Sequence, residues 1–220
     1  MLWMILLAPV VLAFAVWLRK SVRTKRRQQI FNTPFPANWL IIIQQNISLY
    51  RRLPVGLQQQ LLGHVQVFLS EKCFYGFEGL QITDEIKVTV AAQACILQLN
   101  RPATYFPGFS SIYIYPASYR VLERQAHGDI SVGSESIRLG ESWQRGPIVL
   151  SWRDSKHGAV NDEDGQNVVI HEFAHKLDEE NGAVDGLPPL SEESQYASWA
   201  EVLGKEYEKL QKRRGRGVIN

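Results

Sequence analysis

The sequence predicts an α+β fold in which helices and short strands follow one apolar N-terminal segment. Three observations carry this expectation. Apolar residues recur at helical spacing over residues 55–70, and an alanine-rich apolar body fills residues 84–99. Two short runs, Ser111–Tyr115 (SIYIY) and Ile148–Trp152 (IVLSW), have the branched, aliphatic and aromatic content of strands. An uncharged stretch of 17 residues, Leu2–Leu18, precedes them all. With 45% hydrophobic and 21% charged residues, the 220-residue chain has the balance of a globular protein rather than a disordered one.

Trp3 and Trp17 lie near the ends of the apolar stretch, where aromatic rings favour a membrane interface. Seventeen residues are at the short end of what a helix needs to cross about 30 Å of hydrocarbon. The alternative is a cleaved signal peptide, which would carry basic residues before the run and small residues after it. Here nothing basic precedes it and Arg19-Lys20 follow at once. The expectation is a transmembrane anchor over 1–19, a basic linker over 20–33 and one domain over 34–220. The basic cluster would keep the domain on the cytoplasmic side. Residues 1–27 hold six basic residues and no acidic ones, which leaves 18 basic against 22 acidic residues in the remainder. That mildly acidic body gives no reason to expect a nucleic-acid partner. Cys73 and Cys95, both in apolar surroundings, read as buried thiols rather than a disulfide.

Within the body, Thr33-Pro34-Phe35-Pro36 marks the boundary, since proline disfavours helix there. Leu57, Leu61, Leu62, Val65, Phe68 and Leu69 define an amphipathic helix over 55–70. Asp84–Leu99 reads as a buried helix whose acidic start suits a helix N-terminus. The two strands follow, then a polar, glycine-containing loop over Asp154–Asn167. A buried helix starts at Val168 and stops near Asn181-Gly182. Trp199, Val202, Leu203, Tyr207 and Leu210 outline a last amphipathic helix with its glutamates exposed.

The chemistry lies in His171-Glu172-Phe173-Ala174-His175, an H-E-x-x-H pattern. Residues four apart share one helix face, so both imidazoles can grip one zinc ion. Glu172, about 100° round the helix, reaches a water on that ion and serves as catalytic base. Burying two histidines and a glutamate in an apolar helix without a partner is costly, and a metal supplies the partner. Asp178, two turns after His171 on the same face, is a candidate to hydrogen-bond the outer nitrogen of a ligating imidazole. The competing reading of Asp178 is an exposed polar residue near the helix end.

HEFAHKLDEENG with the following Asp185-Gly186-Leu187-Pro188, the upstream GESWQRGPIVLSWRD and the earlier TVAAQACILQL resemble the Mlc titration factor A family of bacterial zinc peptidases. The resemblance runs over most of residues 35–210. It implies a zincin-like, gluzincin-type metallopeptidase fold related to the anthrax lethal factor catalytic domain, with one zinc ion. It also implies aminopeptidase-like activity on a peptide or protein substrate, and for some members binding of the glucose repressor Mlc. By resemblance His171 and His175 are the zinc ligands, Glu172 is the catalytic glutamate, and the IVLSW strand pairs with substrate backbone. Combined with the apolar segment, it places the domain on the cytoplasmic face of a bacterial inner membrane. Family members carry a third ligand, a glutamate, in a downstream N-P-A-E-F-F type motif that does not occur before Asn220. The chain is therefore expected to be truncated at its C-terminus relative to the family, with the third ligand absent. Glu201, Glu206 or Glu208 could substitute in principle, but helical spacing expects them on the exposed face. A deformylase-like site with Cys73 or Cys95 as ligand is a third reading, disfavoured because Cys95 sits in an apolar helix. The alternative function is a non-catalytic zincin scaffold that binds a regulatory protein such as an Mlc-like repressor.

Overall fold

The computed structural model describes residues 2–117, 146–182, 192 and 194–214. Helix α1 runs unbroken from Leu2 to Phe31. Helix α2 (Ala37–Asn46), a 3-10 segment (Ser48–Arg52) and helix α3 (Val55–Glu71) follow, and α2 and α3 start directly after Pro36 and Pro54. Proline suits a helix entrance because its φ is preset and a missing N–H costs little there. Strand β1 (Cys73–Gly76), helix α4 (Asp84–Ile96), strand β2 (Ser111–Tyr115) and strand β3 (Ile148–Ser151) complete the first half of the architecture. Helices α5 (Trp152–Val160), α6 (Val168–Asp178) and α7 (Ser194–Arg214) complete the second.

The predicted α+β class holds, and so do the helices at 55–70 and 84–99 and both strands, with Trp152 opening α5 instead of closing β3. The transmembrane helix is overturned. Among the described residues, no helix is long and apolar enough to cross a membrane. At 1.5 Å per residue the uncharged run is roughly 26 Å long, short of about 30 Å of hydrocarbon. The membrane-anchored, inward-facing placement that rested on this helix goes with it. Residues 20–31, read as a linker, continue α1 and pack on α3. Arg23 Nη2 and Arg27 Nε hold the Glu71 carboxylate at the end of α3, each at 2.7 Å.

Burial pushes the Glu71 carboxyl up, but the hydrogen bonds and charges of Arg27 and Arg23 outweigh it and hold it down at about 2. The unfolded chain therefore binds a proton more readily than the folded one between pH 4.5 and 2. Stability from this group is full above about pH 4.5 and falls away as the pH drops towards 2. Urea midpoints at pH 5 and pH 3 are expected to differ less in Glu71→Gln than in the parent chain.

Helix α4 is the centre of the domain. Thr83 caps it, its hydroxyl accepting from the Ile86 N–H at 3.3 Å. Val88, Val90, Ala91, Ala92, Ala94 and Cys95 are all fully buried. Its small side chains let α2, α3, α5 and α6 pack around it. The described strands form a parallel sheet in the order β1-β2-β3, with Ile112 opposite Ile148 and Ile114 opposite Leu150. Those four residues bury one face against the helices, while Tyr75 and Tyr113 sit on the other.

The loop expected over Asp154–Asn167 is helical up to Val160. The Ser151 hydroxyl caps α5 by accepting from the Asp154 N–H. Its fully buried residues are only Ser155, Gly158 and Ala159, and Trp152 at its start is the one large apolar side chain it packs on the core, so its period is weakly marked. A Cβ on Gly158 would stand 2.9 Å from the Asn167 Cα, which shows how closely α5 approaches the start of α6.

Candidate metal centre

The outer and inner faces of α6 divide the work. Val169, Phe173 and Leu177, spaced four apart, face the core at 0%, 0% and 8% exposure. Phe173 packs among Phe106, Phe68 and Phe109, with ring centroids 4.9, 5.6 and 5.7 Å away. The opposite face presents His171 and His175 to solvent, with half-buried Glu172 beside them.

The two imidazoles converge. Their Nε2 atoms are 3.1 Å apart and their ring planes are nearly perpendicular, at 87°. Two nitrogens each about 2.0–2.1 Å from one tetrahedral ion would be separated by about 3.3 Å. The observed separation fits a shared ion, and a pair of imidazole donors suits zinc. Among the described residues, no group of three His, Cys, Asp or Glu side chains comes together to complete the set. Glu201 pairs with Lys205 and Glu206 with Lys209, both at 2.6 Å on the exposed side of α7. Glu208 is likewise exposed on that helix. Neither cysteine forms a disulfide; Cys95 is buried in α4, and Cys73 is exposed rather than buried as expected. Asp178 ends α6 half-buried.

The acidic run after His175 has local partners. Lys176 Nζ reaches Glu179 at 2.9 Å, and the Thr104 hydroxyl donates to Glu180 at 2.6 Å. The helix then stops through a 3-10 turn at Gly182, whose φ of 79° is a left-handed conformation that glycine adopts without strain. The expected stop at Asn181-Gly182 stands where the sequence put it.

At the other end, Asn167 does more than the sequence reading assigned it. Its side-chain oxygen accepts from the Ile170 N–H at 2.8 Å, capping α6. Its Nδ2 donates to Gln93 Oε1 and to the Gly158 carbonyl, both at 2.8 Å. Gln93 Nε2 donates onward to the Ser155 carbonyl, so one polar chain ties α4, α5 and α6 together. An asparagine just before a Val-Val-Ile run is a recognisable cap signal; the inward partners are not visible from local sequence. Asn167→Ala is expected to destabilise by about 2 kcal/mol, combining a lost cap with two acceptors left unpaired. Asn167→Asp keeps the cap but sets a carboxylate oxygen against two other acceptors, so it should also lower the urea midpoint.

A core-anchored helix that turns an H-E-x-x-H face outward from an α+β domain is the framework of a metallopeptidase-type protein. The chain belongs to the glucose-regulated metallo-peptidase M90 family, whose profile matches residues 21–219. It is similar to an uncharacterized protein of Synechocystis sp., with 34% identity over 187 residues, covering 84% of this chain and 68% of that protein. It is also similar to Mlc titration factor A of Yersinia pestis and of Yersinia pseudotuberculosis. There the identity is 34% over 149 residues, which is 66% of this chain and 54% of those proteins. The chain thus spans about half the length of those two relatives. The kinship read from the sequence motifs is borne out.

Proposed function

We propose that the chain forms the core of a zinc-dependent, aminopeptidase-like peptidase centre in which His171 and His175 hold one zinc ion through Nε2. The observation that carries this is the 3.1 Å approach of the two Nε2 atoms on the outer face of a helix whose other face is locked into the core. A bound zinc ion supplies a Lewis acid that acidifies water and polarises a peptide carbonyl. Glu172 takes the proton from the attacking water and returns it to the departing amine. Asp178 orients a ligating imidazole by accepting from its outer N–H. The substrate backbone lies along β3, which is an edge among the described strands and packs near α6.

A second reading is a scaffold that binds a regulatory protein without cleaving peptides. It is favoured by the two-donor set among the described residues, since catalytic zinc sites use three protein ligands. The name Mlc titration factor A makes an Mlc-like repressor the partner to test. The deciding experiment strips the metal from the chain, reloads zinc, and measures bound zinc together with hydrolysis of a chromogenic aminoacyl substrate. About one retained zinc with turnover supports the peptidase. Loss of zinc on dialysis and no turnover, with retention of a purified Mlc-like repressor on the immobilised chain, would establish the scaffold instead.

A further inference from the structure

Between α1 and the body lies a groove of about 870 Å³ that shares no lining residue with α6. Arg19, Arg23, Arg26 and Arg27 line it from α1, and Lys72 lines it from the body. At positions i, i+4, i+7 and i+8 these arginines form one stripe along the helix. Glu71 is the one carboxylate among the lining residues, so five cations face one anion.

Part of the arrangement is fixed by the fold, while Arg19 and Arg26 stand exposed beside it. Glu71 braces two of the guanidiniums, with Arg27 Nη2 donating to Oε2 at 2.8 Å beside the Nε contact. Arg27 also donates to the Thr104 carbonyl at 3.2 Å and lies 4.6 Å from the Tyr105 ring centroid. The Lys72 ammonium is buried and donates to the Phe106 and Phe109 carbonyls at 2.7 and 2.6 Å. Burial holds its pKa down at about 8, which still leaves it mostly charged at neutral pH.

We propose that this groove is a binding site for an organic phosphate, a ligand with a phosphoryl group and a small apolar body. The charge surplus calls for a multiply charged anion, and guanidinium forks match phosphoryl oxygens in geometry. Leu18, Val22 and Phe109 in the lining provide the surface for the apolar part. The volume lies within the roughly 300–1,000 Å³ of small-ligand sites.

The test is calorimetric titration of the full chain at physiological salt with phenyl phosphate and, separately, inorganic phosphate. Phenyl phosphate is expected to bind saturably at one site, at least tenfold more tightly than inorganic phosphate. The double variant Arg19→Gln/Arg26→Gln removes two lining cations outside the Glu71 ion pair and should weaken phenyl phosphate at least tenfold. Ser110→Glu, which puts a carboxylate on the opposite wall, should do the same and serves if the double variant fails to fold. Absence of saturable binding, equal affinity for the two anions, or affinity unchanged in the folded variants would overturn the proposal.

Discussion

Replacing Glu172 with glutamine is expected to lower turnover of an aminoacyl reporter by 10²–10⁴-fold, the usual worth of a positioned general acid–base group. Zinc content should not change, because the proposed donors are His171 and His175 and the amide keeps the carboxylate's shape. The split between the two readouts is the point of the experiment. His171→Ala should lose both, since it removes one of two converging nitrogens. If Glu172→Gln kept the parent rate, the proton-carrier role would have to move to another group. If it lost zinc as well, Glu172 would be a ligand and not a base.

The second large effect is on stability. Phe173→Ala should destabilise the domain by about 3–5 kcal/mol, the range for emptying an aromatic site in a packed core. Phe173 touches three other aromatic rings from α3 and from the segment before β2. One of these neighbours is itself constrained. Phe106 follows Tyr105 with both residues at positive φ, 51° and 59°, so this backbone has little freedom to collapse into a cavity. For a domain whose total stability is about 5–15 kcal/mol, the loss is a large fraction. Phe173→Leu should cost much less, because it keeps most of the buried volume. Thermal and urea midpoints of the two variants would check both values; equal losses would mean that packing volume is not what matters at this position.

Legibility in the sequence followed the range of the interactions involved. Helix α3 and strand β2 announce themselves because large apolar residues mark their period. Helix α5 does not, since its buried side is Ser155, Gly158 and Ala159 and its large apolar residues, Trp152 and Val160, stand only at its two ends. Strand β1 is missed because Cys73–Gly76 buries none of its side chains fully and so shows no alternation, unlike the equally short β3. The basic run after Leu18 reads locally as solvated charge. Its meaning depends on Glu71, which lies 44 residues beyond Arg27 in the chain and pairs with it only in the fold. The candidate site divides along the same line. His171, Glu172 and His175 fall within one helical turn and a fraction, so five residues of sequence contain their juxtaposition. The anchoring of that turn, from Asn167 to Gln93 and from Phe173 to Phe106, crosses 74 and 67 positions respectively and could only be seen in three dimensions. The amphipathic helix at 194–214 was legible as an element, yet Val202, Leu203, Tyr207 and Leu210 remain exposed in it.

The separation of the two faces of α6 has a consequence for how such a protein lives in a cell. Val169, Phe173 and Leu177 anchor α6 in the core, while the proposed chemistry rests on His171 and His175 on its other face. The proposed site thus depends on the fold, but the fold does not draw on the proposed ligands. A zinc finger unfolds without its ion; this helix has a core to hold it whether or not the ion is there. On the proposed function, a shortage of zinc would leave chains folded but without their ion. The proposed activity would then return when the ion rebinds, with no need for new synthesis.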